Sequence, residues 1–260
     1  MIRRSSQPAG RPQRSLRSRR AAWAALTLLL LPLLLDAERP ASASGDAVVV
    51  EILDGDQVFV DGRKARLRER ASAPDAVSTG ESRGALSFSS GAMGRINRFS
   101  RLRLGQSCYL LETGVVLVSG RAAGCTRSAR LSVRGTNYLL EVDPQGEAQL
   151  SVLEGSVEVE PLRDGVPTGA AGQTVQAGQR LRLSAEGLIL SLLSLSSGDY
   201  DAILRGPLFE GFRLPLPNLG GLESYLRRYH PGVSLPSLPA PVPGLPGLPG
   251  LPSLGLPRLF

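Results

Sequence analysis

The sequence predicts an all-β protein: short antiparallel strands in a sandwich or β-roll, followed by short C-terminal helices and a proline-rich tail. Apolar residues alternate with polar ones in short runs, and turn-forming residues recur every 8–12 residues over about 140 residues. Gly 30 and Pro 20 are abundant, whereas aromatic residues make up only 5%. This composition favours many strands and turns over long helices.

The N-terminal 43 residues predict a secretory signal peptide. Seven arginines precede the apolar run Ala21–Leu35, and Ala41-Ser42-Ala43 follows as a small-x-small cleavage site. Because fifteen apolar residues containing Pro32 are short for a membrane span, cleavage after Ala43 is favoured over an uncleaved anchor. Ser18-Arg19-Arg20 leaves a twin-arginine signal as a minor alternative to Sec export.

The basic charge of the chain is concentrated in this segment. Residues 1–43 hold eight Lys/Arg against two Asp/Glu, whereas residues 44–260 hold 22 against 21. The near-neutral body argues against a general nucleic-acid-binding function. We therefore expect a periplasmic or extracellular protein with no nucleic-acid partner and no stable membrane span after cleavage.

Residues 44–187 contain the predicted β domain. Its first half contains a strand, a hairpin at Asp61-Gly62, a basic return strand and further short strands. The ranges are 47–53, 57–60, 63–70, 76–79, 85–89 and 96–104, the last with one slip that suggests a bulge.

The second half is predicted to contain a hairpin and then a meander. Strands 107–111 and 115–119 flank Glu112-Thr113-Gly114, and residues 131–161 alternate like a three-stranded meander with turns at Asp143–Gly146 and Glu154-Gly155. Two final strands flank Ala177-Gly178.

Residues 188–233 predict a C-terminal extension. Leu188–Leu195 fits a closing strand or the start of a helix, and residues 199–205 and 222–229 fit short helices, with Asn218 as a cap for the second. Residues 234–260, where Gly-Leu-Pro occurs three times in succession, predict a disordered, partly polyproline-II tail.

Cysteine and histidine usage limits the covalent and metal chemistry. Cys108 and Cys125 predict one disulfide if the chain is exported, with two buried free thiols as the alternative. Two cysteines and the single His230 cannot form a structural Cys/His zinc site. We expect no cofactor and no metal.

Three elements of the β domain resemble the signature of the FecR domain family. They are Arg134-Gly135-Thr136 within SVRGTNYLLEV, Glu154-Gly155 within SVLEGSVEVEP, and Ala177-Gly178 within TVQAGQRLRL, in the family's order. The similarity covers about residues 46–187 and is closest to stand-alone exported members, such as those of cyanobacteria. It implies an all-β periplasmic domain that acts by protein contact and has no catalytic residues.

The resemblance does not extend to the regulatory N-terminus of the best-known members. In those proteins a cytoplasmic anti-sigma segment precedes one membrane helix, but here only about twenty arginine-rich residues precede the apolar run. The resemblance therefore implies the domain type and not the direct control of a sigma factor.

The signature residues are interpreted as structural rather than ligand-binding, because their glycines suit a bulge or a turn. They are Arg134, Gly135, Thr136, Glu154, Gly155, Ala177 and Gly178.

Two further patterns could carry function. The alternating cations Arg63, Lys64, Arg66, Arg68 and Arg70 would project from one sheet face, either solvated or facing an anionic partner. Gly80–Gly84 matches G-x-S-x-G, but its Ser82 precedes a strand and has no nearby histidine, so a serine hydrolase is a minor alternative. The alternating Glu154, Glu158 and Glu160 predict a solvated carboxylate ladder rather than a cation site.

These observations predict a non-enzymatic interaction or sensing module of the cell envelope, which acts through protein contacts. The alternative is an envelope scaffold that binds an anionic polysaccharide or peptidoglycan through the basic face.

Overall fold

The computed structural model describes residues 45–163 and 165–236 and confirms the all-β prediction. The described residues form eighteen strands and two helices. In chain order the strands are β1 (Asp46–Leu53), β2 (Val58–Val60), β3 (Arg63–Lys64), β4 (Arg70–Ser72), β5 (Ala76–Thr79), β6 (Arg83–Phe88), β7 (Met93–Ile96), β8 (Arg101–Arg103), β9 (Tyr109–Gly120), β10 (Gly124–Cys125), β11 (Ala129–Val133), β12 (Thr136–Val142), β13 (Ala148–Glu154), β14 (Ser156–Arg163), β15 (Val166–Pro167), β16 (Gln173–Gln176), β17 (Gln179–Leu183) and β18 (Ile189–Ser194).

The strands form two sheets that share β9. Sheet 1 has the spatial order β4-β1-β6-β7-β9-β12-β13-β17-β18. Sheet 2 has the order β3-β2-β5-β8-β9-β10-β11-β14-β16, with β15 on the far end of β14. All pairs are antiparallel except β9–β10. Apolar side chains from both sheets meet in one core that includes Val49, Leu102, Leu131 and Leu181.

The shared strand corrects the predicted hairpin at Glu112-Thr113-Gly114. β9 runs unbroken for twelve residues, pairing with β8 through Thr113 and with β12 from Gly114 onward. Gly114 has φ +91°, which favours glycine, and the Ser100 side chain fills the space where a Cβ would lie. The chain therefore passes from one sheet to the other at Gly114 instead of reversing.

The predicted meander at residues 131–161 is also wrong in its connections. β12 and β13 form a hairpin in sheet 1, but β11 and β14 pair with each other in sheet 2. The turns at Gly135 and Gly155, with φ of +66° and +83°, carry the chain between the sheets. Alternation identifies strands, but it does not say which strands pair.

Two other predicted strands are each divided between the sheets. Residues 96–104 separate into β7 and β8, and Phe99 between them has φ +54°. Residues 63–70 separate into β3 in sheet 2 and the start of β4 in sheet 1, and Arg68 has φ +68°. The predicted bulge is thus a corner, and the basic residues do not share one sheet face.

A C-terminal segment, Leu195–Pro236, covers the outer face of sheet 1. It contains α1 (Ser197–Leu204), which begins with a capping box between Ser196 and Asp199, and α2 (Leu219–Tyr229). A second apolar cluster joins Leu117 and Leu153 of sheet 1 to this segment; its buried members there are Leu195, Tyr200, Leu204, Leu208, Phe209, Leu216, Leu222 and Leu226. The extension is therefore packed against the domain rather than merely appended to it.

Several predictions fall outside the described residues. The signal segment 1–43 and most of the tail, from residue 237 onward, lie there. Within the described residues, Leu188–Leu195 forms the closing strand β18 rather than a helix. Asn218 does precede α2 as predicted, but its side chain makes no capping hydrogen bond. No helix within 45–163 or 165–236 is long and apolar enough to cross a membrane.

Candidate interaction surfaces

The predicted cationic residues lie on one exposed segment, Arg63–Arg70, which we call the basic strip. β3 is followed by a turn in which the backbone N–H of Arg66 donates to the Glu69 carboxylate at 2.7 Å. The N–H of Arg68 donates to the carbonyl of Val49 at 2.7 Å, which ties the turn to β1. The strip is therefore a braced connection between the two sheets.

Most charges on the basic strip have no ion-pair partner within the described chain. Lys64 pairs with Asp56 at 2.6 Å, and this hydrogen bond lowers the pKa of the Asp56 carboxyl. The other four cations, Arg63, Arg66, Arg68 and Arg70, are exposed and make no ion pair there. Leu67, in the middle of the strip, is 60% exposed. The strip thus presents positive charge around an apolar side chain.

Three arginines further along the chain, Arg83, Arg95 and Arg98, are instead used within the protein. Arg83 pairs with Asp54 at 2.6 Å and donates to the main-chain carbonyls of Pro207 and Glu210. Arg98 also pairs with Asp54 at 2.6 Å. The hydrogen bond from Arg83, assisted by both positive charges, lowers the pKa of the Asp54 carboxyl. Arg83 thus fastens the C-terminal segment to sheet 1, and Asp54 and Arg98 hold Arg83 in this network.

Arg95 is the most buried of these cations, with 1% of its surface exposed. Its guanidinium donates to the carbonyls of Leu208 at 3.0 Å and Leu214 at 2.8 Å, and it lies 4.5 Å from the centre of the Phe212 ring. Burial lowers its pKa to about 10, so the side chain remains charged at neutral pH. Arg95 is therefore a cation enclosed by the C-terminal segment.

The three signature turns lie at sheet crossovers. The turn at Gly178 carries the chain from β16 to β17, as those at Gly135 and Gly155 do for the strands on either side of them. The N–H of Ala177 donates to the carbonyl of Gly155 at 2.9 Å, and that of Gly178 to Val152 at 2.8 Å. These hydrogen bonds bring two of the turns together. Arg134 is exposed beside Gly135, and Thr136 is buried.

The signature end also contacts the C-terminal segment. The amide of buried Asn137 donates to Glu154 and to the carbonyl of Asn218, each at 3.0 Å. The backbone N–H of Asn218 donates to Ser119 Oγ at 3.0 Å. Partial burial raises the pKa of Glu154. These residues therefore hold α2 in place, which agrees with a structural role for the signature.

The remaining sequence candidates have mostly structural contacts. Cys108 and Cys125 form the predicted disulfide, with Cα atoms 5.8 Å apart. Ser82 is buried, and its Oγ accepts from the N–H of Gln57 at 2.9 Å. His230 Nδ1 instead lies 3.0 Å from Ser197 Oγ. Ser82 and the only histidine are thus parts of different contacts.

The predicted carboxylate ladder does not form as one row. Glu154 ends β13 in sheet 1, whereas Glu158 and Glu160 lie on β14 in sheet 2, where Glu160 is 3.6 Å from Arg130. Within the described chain, no three His, Cys, Asp or Glu residues are grouped so that they could hold a metal ion.

Three residues that attach the C-terminal segment were not predicted from the sequence in this role: Asn137, Asn218 and Arg95. Arg95 had no detectable signal, because its acceptors lie 113 and 119 residues away. Asn137 and Asn218 had none, since their contact joins residues 81 positions apart.

No family model matches the chain, and no curated protein matches it. Among solved structures, the chain is similar to two crystal structures of a "putative anti-sigma factor" from Parabacteroides distasonis ATCC 8503, at 1.65 Å and 2.50 Å resolution. In each case the identity is 15% and the TM-score is 0.41, and the match covers 59% of this chain and 73% of the other. A likeness at this level is too weak to assign a function.

Proposed function

We propose that this chain is an exported, FecR-like interaction or sensing module of the cell envelope, which acts through protein contacts rather than catalysis. The observation that carries the proposal is the basic strip. Four exposed arginines within eight residues have no ion pair among the described residues, and an exposed leucine lies between them. Such a surface fits an acidic patch on another protein.

The positions of the signature residues support the FecR-like assignment. Gly135, Gly155 and Gly178 all have positive φ and all lie where the chain changes sheets. Family members that share these three crossovers would keep the same two-sheet fold, whereas their surface residues could differ from one protein to another. The disulfide between Cys108 and Cys125 fits an oxidising compartment and so supports export.

The uses of the other polar groups favour contact over catalysis. Ser82 is buried, Glu154 holds Asn137, and Arg83 and Arg95 bind main-chain carbonyls. The basic strip is instead braced by its backbone and exposes its charged ends. A rigid segment with free charged side chains is suited to recognition, because little backbone ordering is lost on binding.

Cross-linking in intact cells tests this function. A photo-reactive residue at Leu67 should capture a partner protein in the parent, and the capture should be lost in the triple variant Arg66→Glu, Arg68→Glu, Arg70→Glu. The matched control is Arg121→Glu, Arg127→Glu, Arg163→Glu, which changes the net charge equally at exposed sites elsewhere. Equal capture by both variants would rule out the strip as the contact surface.

An envelope scaffold that binds an anionic polysaccharide or peptidoglycan is the second candidate. It is favoured by the same four unpaired arginines, since a linear polyanion needs only a series of exposed cations. Sedimentation with isolated peptidoglycan separates the candidates, because only the scaffold should co-sediment with it; this binding should also weaken as the salt concentration rises. The exposed Leu67 favours the protein partner, because an apolar side chain adds little to polysaccharide binding.

A further inference from the structure

β18 is an edge strand with exposed aliphatic side chains on both sides. Leu188 is 67% exposed and Leu193 59%, and Ile189, Leu190 and Leu192 are also exposed. The five side chains are contiguous in the sequence apart from Ser191. Together they expose on the order of several hundred Å², the size at which an apolar patch on a monomer is commonly a contact site.

The backbone of β18 is open on its outer side. β18 pairs with β17 alone, so alternate N–H and C=O groups along its far edge have no strand partner within residues 45–163 and 165–236. Such an edge is a template for another strand. The patch therefore combines apolar surface with a row of unpaired hydrogen-bonding groups.

The two edges of sheet 1 differ in how they resist pairing. The other edge, β4, has three residues, begins with the exposed Arg70 and is followed by Pro74, and all of these features discourage strand addition. β18 has six residues, and the chain carries no charge and no proline from Gly187 to Gly198. Of the two edges of sheet 1 in the described residues, β18 is the one that lacks this protection.

We propose that β18 pairs antiparallel with β18 of a second copy of this chain, so that sheet 1 continues across a two-fold axis. An uncharged strand is compatible with its own copy, because no like charges oppose each other in the contact. Leu192 lies opposite the buried Leu181 of β17 and thus faces the core side. A two-fold axis at Leu192 places the two copies of that residue side by side.

The chain's own tail is a poor alternative occupant. Prolines lie at the even positions 246 and 252 and at the odd position 249, so in an extended strand they would remove N–H donors from both edges. After Pro236, no more than four consecutive residues lack proline. Because proline cannot donate to a ladder, these residues cannot supply the six-residue partner that β18 could accept.

The test measures the oligomeric state of the purified protein. The full sequence is expressed, and any cleavage of the predicted signal segment is left to the expression host. Sedimentation velocity over a dilution series should show a monomer–dimer equilibrium with a dissociation constant on the order of micromolar, as expected of a small interface. The double variant Leu190→Lys, Leu193→Lys should associate at least about a hundredfold more weakly, because pairing would bury its charges.

Leu67→Lys is the matched control, since it adds a lysine at an equally exposed leucine away from β18. It should dimerise like the parent. If the double variant fails to fold, hydrogen exchange of the parent replaces it: amide protection along β18 should rise with protein concentration. A parent that remains monomeric at all concentrations, or a folded double variant that dimerises as tightly as the parent, would overturn the proposal.

Discussion

The basic strip and the face of sheet 1 beneath the C-terminal segment are both rich in arginine, but their arginines have opposite roles. On the strip, the side chains of Arg66 and Arg68 are exposed to solvent. Beneath the C-terminal segment, the guanidinium groups of Arg83 and Arg95 donate hydrogen bonds to main-chain carbonyls. What separates them is the presence of a second layer of chain, whose main-chain carbonyls accept hydrogen bonds that water would otherwise accept.

The buried arginines should therefore contribute to the stability of the fold, whereas the exposed arginines should contribute to binding a partner. Removing a buried arginine leaves carbonyls without donors, whereas removing an exposed one leaves only water. Substitutions beneath the C-terminal segment should therefore change the free energy of unfolding, and substitutions on the strip should change binding alone. The four predictions that follow test this contrast.

Arg95→Ala should have the largest effect. It removes the donors to Leu208 and Leu214 and the contact with Phe212, so we expect a loss of about 3 kcal/mol in the free energy of unfolding. Urea denaturation measures this loss, with Arg66→Ala as the matched control at an exposed site. If both variants unfold at the same urea concentration, Arg95 does not fasten the segment.

Gly155→Ala should destabilise more than Gly62→Ala. Both glycines have positive φ, but a Cβ at position 155 would lie 2.7 Å from Thr136 Cγ2, whereas one at position 62 would meet nothing within 4 Å. We expect losses of about 3 and about 1 kcal/mol, respectively, because only the first adds a clash to the backbone cost. Thermal denaturation of the two variants gives the comparison, and equal losses would mean that the signature turn can relax.

Asp54→Asn should change the response to acid more than Asp56→Asn. The folded pKa of Asp54 lies below the ordinary 3.8, so the unfolded chain binds the proton first as the pH falls. The stabilisation is therefore complete above pH 3.8 and is lost as the pH falls through the folded pKa. We expect Asp54→Asn to lose about 1 kcal/mol at pH 7 and to show a flatter decline in acid.

Asp56 provides the comparison because its partner, Lys64, belongs to the exposed strip. Its carboxyl pKa is also lowered, but water screens this pair, so Asp56→Asn should leave the pH profile of stability close to that of the parent. Unfolding by urea between pH 3 and pH 7 would give both profiles. If Asp56→Asn changed the pH dependence of the unfolding free energy more than Asp54→Asn, the exposed pair with Lys64 would be the more stabilising of the two.

The smallest effect is expected for the triple variant Arg66→Ala, Arg68→Ala, Arg70→Ala. None of these side chains makes an ion pair in the described structure, so the free energy of unfolding should change by less than about 0.5 kcal/mol. Circular dichroism during heating measures this. A substantial loss would show that the arginines support the fold and would weaken the case for recognition.

Much of the fold could be predicted from local pattern. Alternation located most strands, two cysteines gave the disulfide, and turn residues marked the signature crossovers. The pairing of strands could not be predicted, because Gly155 has the pattern of a hairpin turn and Gly135 that of a bulge within a strand, yet both act as crossovers. A positive φ permits a sharp turn, but tertiary packing decides which sheet the next strand joins.

The candidate site was predicted in part. The cations of the basic strip were identified by their alternation, although they lie on a braced turn rather than on one sheet face. The role of Arg95 could not be predicted, since its acceptors lie 113 and 119 residues away and no sequence pattern joins them. Long-range burial of a cation is a property of the assembled fold.

The attachment of the C-terminal segment has a consequence for the order in which the protein folds. The chain is synthesised from its N-terminus, so β7 is made more than a hundred residues before Leu214. Until Leu214 is made, the Arg95 side chain lacks this carbonyl acceptor and is solvated. Contacts of such separation slow folding and leave apolar surface uncovered in the meantime. The outer face of sheet 1 thus stays uncovered, and a nascent chain remains incompletely folded, until nearly all of the described part has been made.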